Sequence, residues 1–157
     1  MSKNESQYEL RGPVDTQEWN AFHAIRRRVL FENRGKGETY LENHPDDSRP
    51  ENHPLILVYQ GDTIGVMRLD VAGSFAWLRR LAIREDRQGR GHGRVLLQLA
   101  EALARKEGCT EIRTNAAIEA VGFYERCGYR QNFEAAPENS VRFYKDLVEH
   151  EEPQGSV

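Results

Sequence analysis

Arg87-Gln88-Gly89-Arg90-Gly91-His92-Gly93-Arg94 places three glycines at alternate positions between an apolar strand and an amphipathic helix. Glycine accepts positive φ and lets a ligand come close to the backbone. The helix that follows would aim its first free N–H groups at whatever the loop holds, and its dipole favours an anion there. The stretch reads as a cradle for a phosphate or pyrophosphate group, with a bare tight turn as the other reading. Two familiar phosphate loops fail on residues. A dinucleotide loop needs Gly-x-Gly-x-x-Gly near the start of repeated βαβ units. Here the glycines stand at 89, 91 and 93, and antiparallel strands precede them. A P-loop ends in Gly-Lys-Ser or Gly-Lys-Thr. This one ends Gly93-Arg94-Val95, with no hydroxyl for magnesium.

Outward from the loop, hydrophobic periodicity assigns the neighbours. Residues 75–84 read as the strand before it, and 91–107 as the helix after it, with Val95, Leu96, Leu99 and Leu103 on one face. Gly108 stops that helix, and 109–114 form a short buried strand. Strand, loop, helix and strand make a right-handed crossover, so these two strands are parallel. Before them, 55–59 and 63–71 form a hairpin around Gln60-Gly61-Asp62, and Gly73-Ser74 turns the chain into the next strand. A first strand is expected near 7–10 and a helix over 16–31, capped by Asp15 or Thr16. Residues 33–53 are rich in Gly, Asn, Pro, Asp and His and read as a long loop with a short helix near 38–41. A helix over 118–127 and closing strands at 129–133 and 141–147 complete one domain, residues 1–157. Its acidic tail, from about 149, is expected to be frayed.

The 157 residues suffice for one core, and a net charge of -3 gives no bulk pull toward nucleic acid or an anionic membrane. No apolar run approaches a membrane span, and Met1 to Glu9 lacks a signal peptide's apolar segment. Cys109 and Cys127 make neither a disulfide framework nor a zinc site, and the acidic residues lack calcium spacing. A cytoplasmic protein without a metal is the expectation.

Gln88-Gly89-Arg90-Gly91-His92-Gly93 resembles the Gln/Arg-x-x-Gly-x-Gly/Ala signature of the GNAT superfamily of N-acetyltransferases. Leu81-Ala82-Ile83-Arg84-Glu85-Asp86-Arg87 resembles that family's preceding strand. Ala120 to Tyr129 resembles its second motif, Ala-x-x-x-Tyr-Glu-Lys-x-Gly-Phe. The resemblance covers about 55–147. It implies an α/β fold of the α+β mixed-sheet kind. About seven mostly antiparallel strands would carry a central parallel pair splayed around coenzyme A, flanked by about four helices. It implies acetyl-CoA as co-substrate and an amine as acceptor. The backbone of Gln88, Gly89, Arg90, Gly91, His92, Gly93 and Arg94 would hold the pyrophosphate. The backbone of Leu81, Ala82 and Ile83 would pair with the pantetheine arm, while their side chains serve as core. A backbone N–H near Ala82 or Ile83 would polarise the thioester carbonyl. Tyr124 falls where the family's tyrosine reaches the coenzyme A sulfur as proton donor; packing beside Phe123 is the other reading. An Asn often stands seven residues before that tyrosine; here it is Ala117, and Asn115 cannot simply inherit the role.

The strand before the loop offers Arg79 and Arg80 where the family often has a carboxylate, leaving Asp70, Glu119, His44, His53 or water as bases. Arg68 and Asp70, two apart on one strand, share a face. With Arg80 or Arg79 they would suit a carboxylate or phosphate on the acceptor, unless the face is simply solvated. A small acidic amine is the expected acceptor, with a protein N-terminus or lysine, or a non-catalytic acyl-CoA sensor, as alternatives. A homodimer is possible for such a family.

Overall fold

The computed structural model describes residues 7–133 and 136–148. The expected tail lies outside them. A seven-stranded sheet runs in the order β1-β2-β3-β4-β5-β7-β6. Its strands are β1 (Tyr8–Arg11), β2 (Asn52–Tyr59), β3 (Asp62–Ala72), β4 (Phe75–Ile83), β5 (Glu111–Ala117), β6 (Arg130–Asn132) and β7 (Ser140–Asp146). All pairs are antiparallel except β4 with β5, the two strands joined by the crossover. The mixed sheet and its single parallel pair follow the sequence expectation.

Helices cover both faces. Helix α1 (Thr16–Ile25) starts at Asp15, whose Oδ1 accepts from the Glu18 N–H at 2.8 Å. It packs Phe22 and Ile25 onto Ile56, Val58, Val66 and Ala82. Helix α2 (His92–Lys106) buries Leu96, Leu97, Ala100 and Ala104 in the larger core on the other face. Helix α3 (Val121–Arg126) places Tyr124 in the same core. Below them the buried Glu101 accepts from the Tyr129 hydroxyl at 2.9 Å and from Lys145 at 3.1 Å. Among the described residues no helix is long and apolar enough to cross a membrane.

Two expectations change. The helix expected over 16–31 is α-helical only to Ile25, and Arg26–Phe31 is π-helical. A π turn accommodates one extra residue. That residue lets Arg26 enter the interior, fully buried, while Val29 and Leu30 still pack against the smaller core. The helix expected near 38–41 is a single 3-10 turn, Gly37–Thr39, in a segment with too few apolar residues to anchor more. Three α-helices therefore stand among the described residues, where about four were expected.

Candidate active site

Strands β4 and β5 pair only from Phe75↔Glu111 to Leu78↔Thr114. Beyond that point β4 continues to Ile83 and β5 to Ala117 without pairing, so the strands part. At the split the Thr114 hydroxyl donates to the Leu78 carbonyl at 3.2 Å. Two cavities take lining residues from the parted ends of these strands.

The first cavity, about 310 Å³, is lined by Ile83, Gln88, Gly89, Gly91, Gly93 and Arg94 among others. The loop adopts the conformations its glycines allow. Gly89 has φ 77° and Gly91 φ 86°, and a Cβ at either would meet nothing within 4 Å. Gln88 Nε2 donates to the Ile83 carbonyl at 2.9 Å, which ties the loop to the end of β4. Gly91 begins α2, and no side chain caps that end. Arg90 is exposed and lies outside the lining. His92 turns its ring inward. Its Nδ1 bonds the Tyr8 hydroxyl at 2.7 Å, and its ring lies 4.9 Å from that of Tyr59. Burial, then Arg87 and Arg90, hold the His92 imidazole below its ordinary pKa.

The second cavity, about 670 Å³, holds Tyr124, Thr114, Leu81, Arg68, Asp70 and Arg80 on one wall system. Ala82 instead packs its side chain toward α1. Tyr124 is buried among Phe123, Tyr129 and Phe143. Burial pushes its phenol up to about 12, although a hydrogen bond with Thr114 pulls the other way. The phenol therefore stays protonated at neutral pH. Thr114 was not singled out by sequence; only its place opposite Leu78 in the parallel register reveals it.

Arg68 and Asp70, on the cavity lining, belong to a chain of ion pairs that continues to Asp47 and Arg26 outside it. Arg26 donates to Asp47 at 2.8 and 3.2 Å, Arg68 donates to Asp47 at 3.0 Å, and Arg68 also forks onto Asp70 at 2.7 and 2.9 Å. Burial alone would lower the Arg68 pKa, but its bonds to Asp70 and Asp47 outweigh burial and raise it. Arg68 and Asp70 thus share a face, as their spacing implied, and they bind each other. Of the four side chains considered as bases, only Asp70 lines this cavity. Glu119 pairs with Arg34 at 3.6 Å, His44 caps a 3-10 turn, and His53 lies on β2. Asn115 and Ala117 line the cavity, and Asn115 Oδ1 accepts from Arg142 at 2.9 Å.

Comparison with known proteins bears on this geometry. The acetyltransferase (GNAT) family pattern matches residues 19–129. The chain is 23% identical over 126 residues to the uncharacterised Bacillus subtilis protein YyaT, covering 80% of each. A Lactobacillus plantarum structure assigned as an N-acetyltransferase is 28% identical, with a TM-score of 0.74 over 90% of this chain and 99% of that one. The PaiA N-acetyltransferase of Thermoplasma acidophilum, solved in complex with coenzyme A, is 18% identical. It has a TM-score of 0.70 over 88% of this chain and 98% of that one, a likeness of fold.

Proposed function

Because this chain belongs to the acetyltransferase (GNAT) family, we propose that it moves an acetyl group from acetyl-CoA to the primary amine of a small acceptor bearing an acidic group. One observation carries the reading: β4 and β5 part at Leu78 and Thr114, with the glycine loop on the lining of one cavity and Tyr124 on the lining of the other. The residues fit coenzyme A. The uncapped first turn of α2 and the open space over Gly89 and Gly91 suit a pyrophosphate. The β5-facing edge of β4 at Leu81, Ala82 and Ile83 is available to the pantetheine arm in the manner of an added strand.

In this reading the acceptor nitrogen attacks the thioester carbonyl directly. A C–N bond forms, the C–S bond breaks, and no acyl-enzyme forms. In the same reading Tyr124 donates a hydrogen bond to the leaving sulfur, since burial keeps its phenol protonated. Both oxygens of Asp70 are engaged by Arg68, so Asp70 shapes the floor and water carries away the amine's proton. Arg68 is held by Asp47 and Asp70, which leaves Arg80 as the open cation of the expected substrate set.

The test is release of free coenzyme A thiol from acetyl-CoA across an amine panel, with the acetylated amine identified by mass. Amine-dependent thiol release is expected. Thiol release that no amine accelerates would remove the transferase reading.

A further inference from the structure

Successive side chains of a regular strand face opposite ways. Along the first part of β4, Ala76 and Leu78 enter the core under α2, so Phe75, Trp77 and Arg79 take the opposite face. Regular alternation would then send Arg80 toward α2. It does not, because the register against β3 slips: Arg79 lies opposite Arg68 and Ala82 opposite Val66, with Arg80 and Leu81 between them. Past the slip the phase is reversed. Ala82 packs toward α1, and Leu81 and Ile83 toward α2. Arg80 sits in this bulge with φ 54°, a left-handed conformation that is strained for a residue with a Cβ. As a result two sequence neighbours, Arg79 and Arg80, line the same cavity.

Charge distinguishes these two from the rest. Five arginines and three carboxylates line the cavity. Arg68 has two carboxylate partners, Arg49 meets Asp46 at 3.5 Å, and Arg34 meets Glu119 at 3.6 Å. Arg79 reaches Asp70 only at 3.7 Å, and both oxygens of Asp70 already accept from Arg68. Among the described residues, no carboxylate lies within 4 Å of Arg80. Aromatic rings hold both guanidinium groups, Trp77 at 4.5 Å from Arg79 and Phe31 at 5.4 Å from Arg80. Backbone strain at a cavity wall, supporting a cation that feels Asp47 only at a distance and that no described carboxylate contacts, points to a ligand there.

We infer that Arg79 and Arg80 form the seat for the acceptor's acidic group, a carboxylate or phosphate, to which the β4 bulge turns both side chains. The inference rests on the acetyltransferase reading. Arg80 is the stronger member, Arg79 the second, and Arg68 takes no part because its fork is filled.

Matched acceptors test it: an amino acid against its amide, and an aminoalkyl phosphate against the corresponding amino alcohol, each with acetyl-CoA. The acidic member of one pair is expected to be preferred in kcat/KM by roughly 10- to 100-fold. Which pair shows the preference separates carboxylate from phosphate. Arg80→Gln and Arg80→Gly should abolish the preference through the acceptor KM, while the acetyl-CoA KM stays within about twofold. Arg80→Gly also relieves the strain, so its Tm should equal or exceed that of the wild type. A preference that survives both variants overturns the inference, as does equal use of acidic and neutral amines. A second readout is independent of turnover: titration of inorganic phosphate into the coenzyme A-saturated protein, followed by tryptophan fluorescence in a Trp19→Phe background, where Trp77 is the remaining tryptophan. Binding that Arg80→Gly abolishes, in a protein that acetylates no amine, would sink the transferase reading and keep the anion seat. No binding and no preference would sink the seat.

Discussion

The loop at residues 88–94 and the cavity floor at Arg68 and Asp70 are built from different material. The loop end is backbone: glycines with positive φ, an uncapped helix start and an unpaired strand edge. The floor is side chain: Arg68 and Asp70 on the lining, linked through Asp47 to the buried Arg26 by hydrogen-bonded ion pairs. A backbone site tolerates changes in most side chains but not in the glycines that shape it. A side-chain site fails when any one link is lost, because each charge is buried against the next. The contrast also assigns labour. The backbone end suits a ligand that stays the same, and the side-chain end is where a particular acceptor would be recognised.

The sharpest way to break this contrast is Asp47→Ala. Asp47 is the only described carboxylate within 4 Å of Arg26, which is fully buried and whose Nε already lacks a hydrogen-bond partner. Removing Asp47 leaves a buried cation uncompensated, and losses of this kind are about 3–5 kcal/mol. Urea denaturation should show that loss, and the acceptor KM should rise with it. A loss below about 1 kcal/mol would mean the floor is not held by this chain of pairs.

Tyr124→Phe comes next, at the point where the two ends meet. It removes one oxygen and keeps the ring packed on Phe123, Tyr129 and Phe143. We expect kcat to fall about 100-fold, with both KM values and Tm little changed. Unchanged kcat across pH would leave Tyr124 as a packing residue only.

The difference between the two ends explains what could be read from the chain. Glycine spacing and strand–helix periodicity report backbone directly, so the loop, α2, the parallel pair and the succession of strands along the chain are legible in the sequence, whereas the place of β7 between β5 and β6 is not. Nor are the partners of Arg68. Asp70 is two residues away and was found by alternation, but Asp47 is 21 residues distant in a loop without periodicity, and Arg26 follows an unsignalled switch to π-helical geometry. Arg79 and Arg80 both stand out in the sequence, yet strict alternation lets only one of them face the cavity. A bulge at a non-glycine residue leaves no mark in sequence, so their common face emerged only from the register with β3.

Gly91→Ala sharpens the backbone side. Gly91 has φ 86° in open space, so the added methyl meets no atom and the whole effect comes from the left-handed conformation. That strain costs about 1–2 kcal/mol. Stability should fall by this amount, and the acetyl-CoA KM should rise while acceptor preference is kept. A rise in the acceptor KM instead would show that the two ends are not separable.

The smallest effect concerns His92, the loop residue whose side chain is turned into the interior. Burial, then the charges of Arg87 and Arg90, depress its pKa below the ordinary 6.5, so the fold holds it neutral against the Tyr8 hydroxyl. In the unfolded chain the same imidazole binds its proton near 6.5. As pH falls through that value the unfolded state takes up more protons than the folded one, and stability is lost toward acid. His92→Gln keeps a polar group near Tyr8 and removes the titration. Between about pH 7.5 and 5.5 the wild type should therefore lose more stability than the variant, by under about 1 kcal/mol. Urea midpoints at the two pH values measure the difference. Because His92 joins β1 to the start of α2, the acetyl-CoA KM should rise in acid in the wild type and stay flatter in the variant. Equal acid sensitivity in both proteins would mean that Tyr8 and His92 do not hold the cradle, and that the backbone end stands on its glycines alone.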